Sequence, residues 1–203
     1  MRDGRLSRNA AERVRLPRVV KSSRGYLTHT QVRALAAGFA DYGDIVLFLA
    51  YTGLGWGEMA ALKVGRLDML RRRIEVADAV SMPRGQLVWS TPKSRSSRSV
   101  PFPVFLTEPL ARRCKGRKRD ELVFVGPDGG VLRSGNFRGR QCASAVAQAR
   151  ASDADFPTLS PHDLRHTAAS LAVAVTLNDG ATASLVGKAW ATASLSGMKT
   201  IRE

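Results

Sequence analysis

The sequence predicts a mostly helical α+β domain, and three stretches carry that expectation. "GDIVLFLAYTG" (43–53) is apolar all round, which suits a helix buried on every side. "RRRIEVADAVS", "QLVWST" and "RSVPFP" are short and rich in β-branched residues, with "MPRG" and "PKSRSS" between them as turn punctuation. "SPHDLRHTAASLAVAV" opens like a helix, with Ser160 as N-cap, Pro161 at the first helical position and Asp163 where a capping box places its acid. Strand texture is confined to one part of the chain, so the expected sheet is a small three-stranded antiparallel meander and not a parallel one.

The remaining elements follow in order. Residues 1–25 lack apolar periodicity and read as a flexible basic arm or linker. "YLTHTQVRALAAGFA" starts a helix, with Thr28 or Thr30 as N-cap and Val32, Leu35 and Ala36 on one face. The buried helix ends at Gly53, a good residue just past a helix C-terminus, and a short helix "GEMAALKV" follows. After the strands come an amphipathic helix near 102–115, a short "ELVFV", a turn at "GPDGG" and a helix across roughly 134–150. The last 25 residues are rich in Ala, Ser and Thr and weakly patterned. No internal repeat is present.

A chain of 203 residues, 44% of them hydrophobic, suits one domain with a real core. The longest clean apolar run, Ile45 to Tyr51, falls far short of the roughly 20 residues a membrane helix needs, so no membrane partner is expected. The N-terminus has no apolar core of a secretory signal. Cys114 and Cys142 lie far apart and form no metal or disulfide pattern, which points to a reducing cytoplasm. Charge is the first functional clue. The net charge is +15 and the pI about 11.1, with the excess gathered in "RRR" (71–73), in the N-terminal arm and in "RRCKGRKR". That last run holds Arg112, Arg113, Lys115, Arg117, Lys118 and Arg119. A polyanion is the natural partner, because each neutralised phosphate releases counterions; the bland alternative is a solvated basic surface.

Gly53, Gly55 and Gly57 in "YTGLGWGEMAAL" raise the question of a phosphate loop. A dinucleotide fingerprint needs G-x-G-x-x-G after a strand, and a P-loop needs Gly-Lys-Ser/Thr. Here the spacing is G-x-G-x-G, a helix precedes it, and no Lys-Ser or Lys-Thr follows. A tight helix-to-helix turn is the better reading.

"HDLRH" (162–166) has three readings. As H-x-x-x-H, His162 and His166 share a face like the zinc-protease helix, although Asp163 is a methylene shorter than the usual Glu. This supports the alternative of a zinc-dependent hydrolase, for which His29 is the only further histidine. As H-x-x-R, His162 and Arg165 aim an imidazole and a guanidinium at one spot, a phosphate-binding pair. The third reading is a surface helix with an ordinary cap. "WSTPKSRSSRSV" adds Lys93 in the turn of a predicted hairpin, with Arg95 and Arg98 beside it; a hairpin tip can enter a DNA groove.

In this order, "YTGLGWGEMAALKV", "TPKSRSSRSVPFP" and "SPHDLRHTAASLA" resemble the catalytic domain of a tyrosine recombinase of the phage-integrase kind, over roughly residues 26–198. The resemblance implies the DNA breaking-rejoining catalytic-domain fold. It also implies a cofactor-free and metal-free phosphoryl transfer in which a tyrosine attacks a DNA phosphate, arginines and histidines stabilise the phosphoryl oxygens, and the hairpin lysine protonates the leaving oxygen. Lys93, His162 and Arg165 fall on family catalytic positions, and Glu58 on the acid that helps hold the site together. "RNAAERVRLPR" is similar to the linker leaving the family's DNA-clamping domain, so residues 1–25 are expected to be the remnant of that exit and 26–203 the catalytic domain with a degenerate C-terminus.

Three family positions are occupied by other residues. The first arginine falls on Gly55. Counting 23 residues from Arg165 lands on Lys188, where the family has His or Trp, and ten further on is Met198, where the nucleophilic tyrosine belongs. All the tyrosines (Tyr26, Tyr42 and Tyr51) precede the first box, and nothing activates Ser194, Ser196 or Thr200 in their place. Loss of one oxyanion-type donor alone costs about 10²–10³ in rate. The expectation is therefore a catalytically inactive integrase fragment, a pseudoenzyme and prophage remnant. It would bind double-stranded DNA through Lys93, Arg95, Arg98, Arg165 and the 112–119 cluster. An intact recombinase is a further candidate partner, and no small-molecule substrate is expected. A remnant that never folds stably is the remaining reading.

Overall fold

The computed structural model describes residues 26–91, 97–157, 159 and 163–178. The N-terminal arm, Lys93 and Arg95, the cap residues Ser160 to His162, and everything past Asn178, including Lys188 and Met198, lie outside the described residues.

The described part opens with α1 (His29–Ala37), capped by Thr28, whose hydroxyl accepts from the Gln31 N–H while the Gln31 side chain accepts from the Thr28 N–H. This reciprocal box satisfies two amides that the first helical turn leaves open. Val32, Leu35 and Ala36 face inward as their spacing requires. The next helix, α2 (Gly43–Thr52), buries Ile45, Val46, Phe48, Leu49 and Ala50 and ends at Gly53 in the left-handed conformation, φ 64°. The short α3 (Trp56–Ala60) follows.

Strands β1 (Leu67–Asp68), β2 (Arg73–Val76), β3 (Ala79–Ser81), β4 (Val88–Ser90) and β5 (Arg98–Pro101) come next. They differ from a single meander. One antiparallel sheet has the order β1-β2-β5, and β3 pairs with β4 in a separate two-stranded ribbon. "RRRIEVADAVS" is thus two strands, and β5 returns to pair with β2 in the register Ile74 to Val100. The break falls at Ala77-Asp78, after which the chain leaves the sheet toward α3.

Helix α4 (Thr107–Cys114) is preceded by a 3-10 turn at Val104–Leu106, so the predicted 102–115 helix is shorter at its start. "ELVFV" forms only isolated bridges, Lys63 to Leu122 and Val125 to Val131. The predicted helix over 134–150 is two, α5 (Ser134–Arg138) and α6 (Arg140–Ser152), separated at Gly139, whose φ/ψ of −64°/−138° is non-helical. The last element among the described residues is α7 (Asp163–Asn178).

One main core joins most of these elements, and a small second cluster of Ala60, Ala61 and Val80 lies where α3 meets β3. Phe48, Ile45, Leu54, Met59, Ile74, Leu106, Leu110, Phe124, Phe137, Ala145 and Leu164 belong to the main core. Helix α2 packs against both α1 and α7. A buried hydrogen bond from the Leu27 N–H to the Thr167 hydroxyl, 3.3 Å, ties the start of the described chain to α7. This packing sets the first turn of α7 beside the turn between α2 and α3. Among the described residues, no helix is long and apolar enough to cross a membrane.

Candidate nucleic-acid interface

The α2–α3 turn is built by its glycines and one acid. Gly53 takes the positive φ that stops α2. Gly57 lies so close to β3 that an added Cβ would meet the Val80 carbonyl oxygen at 2.3 Å. Between them, Gly55 is the N-cap of α3, and Glu58, three residues on, reaches back to accept from its N–H at 2.9 Å.

Glu58 is the centre of the site. Arg98, the first residue of β5, donates from both terminal nitrogens, to Oε1 and to Oε2, each at 2.8 Å. Arg165, in the first turn of α7, holds its Nη1 3.6 Å from Oε2. Side-chain exposure rises outward from 13% at Glu58 to 25% at Arg98 and 36% at Arg165. Burial pushes the Glu58 carboxyl up. The hydrogen bonds from Arg98 and from the Gly55 N–H, with the charges of Arg98 and Arg165, outweigh burial and hold it below its usual value. Two guanidiniums around one carboxylate leave the site with a positive excess.

Residue 55 belongs to this cluster by position. A Cβ built on Gly55 would lie 3.3 Å from Arg165 Nη1 and 3.6 Å from Glu58 Oε2. A side chain at 55 would therefore share the anion-facing space of Arg165. Glycine contributes none.

The sequence-predicted basic residues divide when placed. Gly55, Glu58, Arg98 and Arg165 come together, from segments far apart in sequence. Arg98 differs from the expectation of an outward DNA contact: it shares a face of β5 with buried Val100 and spends its guanidinium on Glu58. Within the 112–119 cluster, Arg113 also turns inward. It makes a bidentate pair with Asp44, with 2.6 Å from Nη2 to Oδ1, and lies over the Phe124 ring. Arg117 donates to the Leu122 carbonyl at 3.0 Å. Arg112, Lys115, Lys118 and Arg119 are exposed. The one signal in the sequence for the inward pair is spacing, Arg113 following Leu110 by a helical step and Arg98 preceding Val100 by a strand step, and it does not point to Asp44 or Glu58 as partners.

Among the described residues, no three His, Cys, Asp or Glu side chains are grouped to hold a metal. His29 is engaged elsewhere, its Nδ1 2.7 Å from the Tyr51 hydroxyl and its ring stacked on that tyrosine. Cys114 and Cys142 form no disulfide with each other.

Comparison with known proteins gives this cluster its setting. The family model described as "Phage integrase family" matches residues 26–187. This chain belongs to the phage integrase family. Tyrosine recombinase XerC of Corynebacterium efficiens is 27% identical over 182 residues, covering 84% of this chain and 52% of the relative. Tyrosine recombinase XerC of Mycobacterium leprae is 28% identical over 181 residues, covering 82% and 56%. The chain thus spans about half the length of the curated relatives it matches. Its fold is that of the family's catalytic domain. The integrase of the Tn1549 transposon, solved in complex with a circular intermediate DNA, superposes with a TM-score of 0.68 at 21% identity, over 87% of this chain and 62% of that one. XerA recombinase gives 0.53 at 22% identity, over 76% and 52%.

Proposed function

We propose that this integrase-family domain binds double-stranded DNA and does not cleave it. The observation that carries the proposal is the cluster of Glu58, Arg98 and Arg165, net positive and open on the Arg165 side, with a glycine where a side chain would flank Arg165. A guanidinium exposed beside a buried, ionised carboxylate is set to receive a phosphodiester oxygen. The exposed cations Arg112, Lys115, Lys118 and Arg119 add a surface for the DNA backbone. That a relative of the same fold is solved with DNA supports the choice of polyanion.

Loss of cleavage follows from residue types. Lys93, His162 and Arg165 keep the family's catalytic identities, whereas Gly55, Lys188 and Met198 replace the first arginine, the second histidine or tryptophan, and the tyrosine. A missing donor slows phosphoryl transfer; a missing tyrosine removes the covalent intermediate altogether. In this reading the protein acts in the cytoplasm, as a DNA-binding domain derived from a recombinase, with residues 1–25 serving as a basic linker.

A mobility-shift titration on duplex DNA tests the binding, and a nicked suicide substrate tests the chemistry. The expected result is binding that falls steeply as salt rises, with no covalent protein–DNA adduct. Failure to shift DNA at low salt would sink the binding role, and an adduct surviving denaturation would sink the loss of cleavage.

A further inference from the structure

Three donors compete for the two oxygens of Glu58. Arg98 takes both, at 2.8 Å each, and the Gly55 N–H shares Oε2 at 2.9 Å. Arg165 Nη1 stands at 3.6 Å from Oε2, outside hydrogen-bond range. Bidentate guanidinium–carboxylate pairing is the strongest geometry available to these groups, so Arg98 wins the contest. Its approach is fixed by the sheet, because β5 is held to β2 from Arg98 to Pro101 and Val100 is buried in the core.

We infer that Arg98 is a positioning residue that occupies both oxygens of Glu58 and thereby keeps Arg165 available to a DNA phosphate. Without Arg98, a shift of about 0.8 Å would bring Arg165 into charge-assisted contact with Glu58. The carboxylate would then neutralise the guanidinium meant for the phosphate. With Arg98 in place, the oxygen nearest Arg165, Oε2, already accepts from Arg98 and from the Gly55 N–H, and Arg165 stands off at ion-pair distance, 3.6 Å. The absence of a side chain at Gly55 makes this division matter more, since the Cβ position there faces the same Nη1 and nothing at residue 55 separates Arg165 from Glu58. The inference rests on the DNA-binding reading above.

The test is a double-mutant cycle on the full chain, read by salt-dependent binding to a short mixed-sequence duplex. Arg98→Ala is expected to weaken binding about tenfold, the order of one charge-assisted contact. It should also reduce the slope of log affinity against log salt by ~0.9, one phosphate's worth. Adding Glu58→Gln to Arg98→Ala should restore both quantities most of the way, because a neutral amide no longer draws Arg165 inward. In an Arg165→Ala background, Arg98→Ala should cost nothing further. Should Arg98→Ala fail to melt cooperatively, Arg98→Lys takes its place, with a smaller loss and the same rescue by Glu58→Gln. An unrescued loss would mean that Arg98 touches phosphate itself or acts only as a strut, and unchanged binding in Arg98→Ala would mean no positioning; each overturns the inference. No binding by the unaltered chain would overturn the DNA-binding reading as well, whereas binding without rescue overturns the positioning role alone.

Discussion

Glu58 meets opposing demands that can be read out by titration. Its side chain is 13% exposed, which favours the neutral acid, yet four favourable interactions from Arg98, Gly55 and Arg165 keep it ionised below the ordinary 4.5. A carboxyl that ionises more readily in the folded state binds its proton more tightly in the unfolded chain. Its stabilising contribution is therefore complete above about 4.5 and is lost as pH falls through the lower folded value. Glu58→Gln should flatten the acid side of the stability profile while lowering stability at neutral pH, where the amide leaves Arg98 half buried without its anion. Urea melts at stepped pH values measure both. A profile with unchanged acid slope would show that another carboxylate governs it. Gly55 is a different case. Its backbone, φ −71° and ψ 156°, is open to any residue, and the atom nearest an added Cβ is the tip of a flexible arginine. Glycine at this position is therefore not required by the fold.

Elements are held by closer tolerances. Helix α3 approaches β3 at Gly57, where the nearest atom to an added Cβ is a main-chain oxygen at 2.3 Å. Such an oxygen does not swing aside, so the helix must move. Gly57→Ala is expected to destabilise the protein by about 1–3 kcal/mol, the usual cost of overpacking, where Gly55→Ala has little effect. Chemical denaturation of the two variants side by side checks this, and equal midpoints would refute it. The same contact explains why β3 leaves the β1-β2-β5 sheet. Ala79 and Val80 read as a continuation of β2 because they carry strand-forming residues, but the local pattern does not reveal which sheet a strand joins. The docking of α3 onto Val80, a contact between segments over twenty positions apart, draws β3 out into its own ribbon with β4. The break between α5 and α6 has a more local origin: Gly139 adopts a non-helical conformation in a stretch otherwise helical on both sides.

Among the described residues, the main buried cluster runs from Leu27 through α2, β2 and α4 to Leu171 in α7, beside a small second one of Ala60, Ala61 and Val80. Small domains built around one dominant core unfold as a unit. Thermal melting followed by circular dichroism should therefore show one cooperative transition; a gradual, non-cooperative loss of ellipticity would favour the unstable remnant. Much of this whole was legible in the chain before folding. Apolar periodicity marked α1, unbroken apolar character marked α2, a capping pattern marked α7 and Gly53 marked a helix end, because these signals are local; the order of the three motifs marked the family. Sequence alone also determined what residue 55 cannot donate, and that residues 52–203 hold no tyrosine. Only the tertiary structure decided which cations face outward. Arg98 and Arg113 look on paper like their basic neighbours, but each sits one strand step or one helical turn from a buried residue and meets a carboxylate from a distant segment, Glu58 or Asp44. The physical reason is that charge is a property of a residue, whereas the availability of that charge depends on which partners the fold brings within reach.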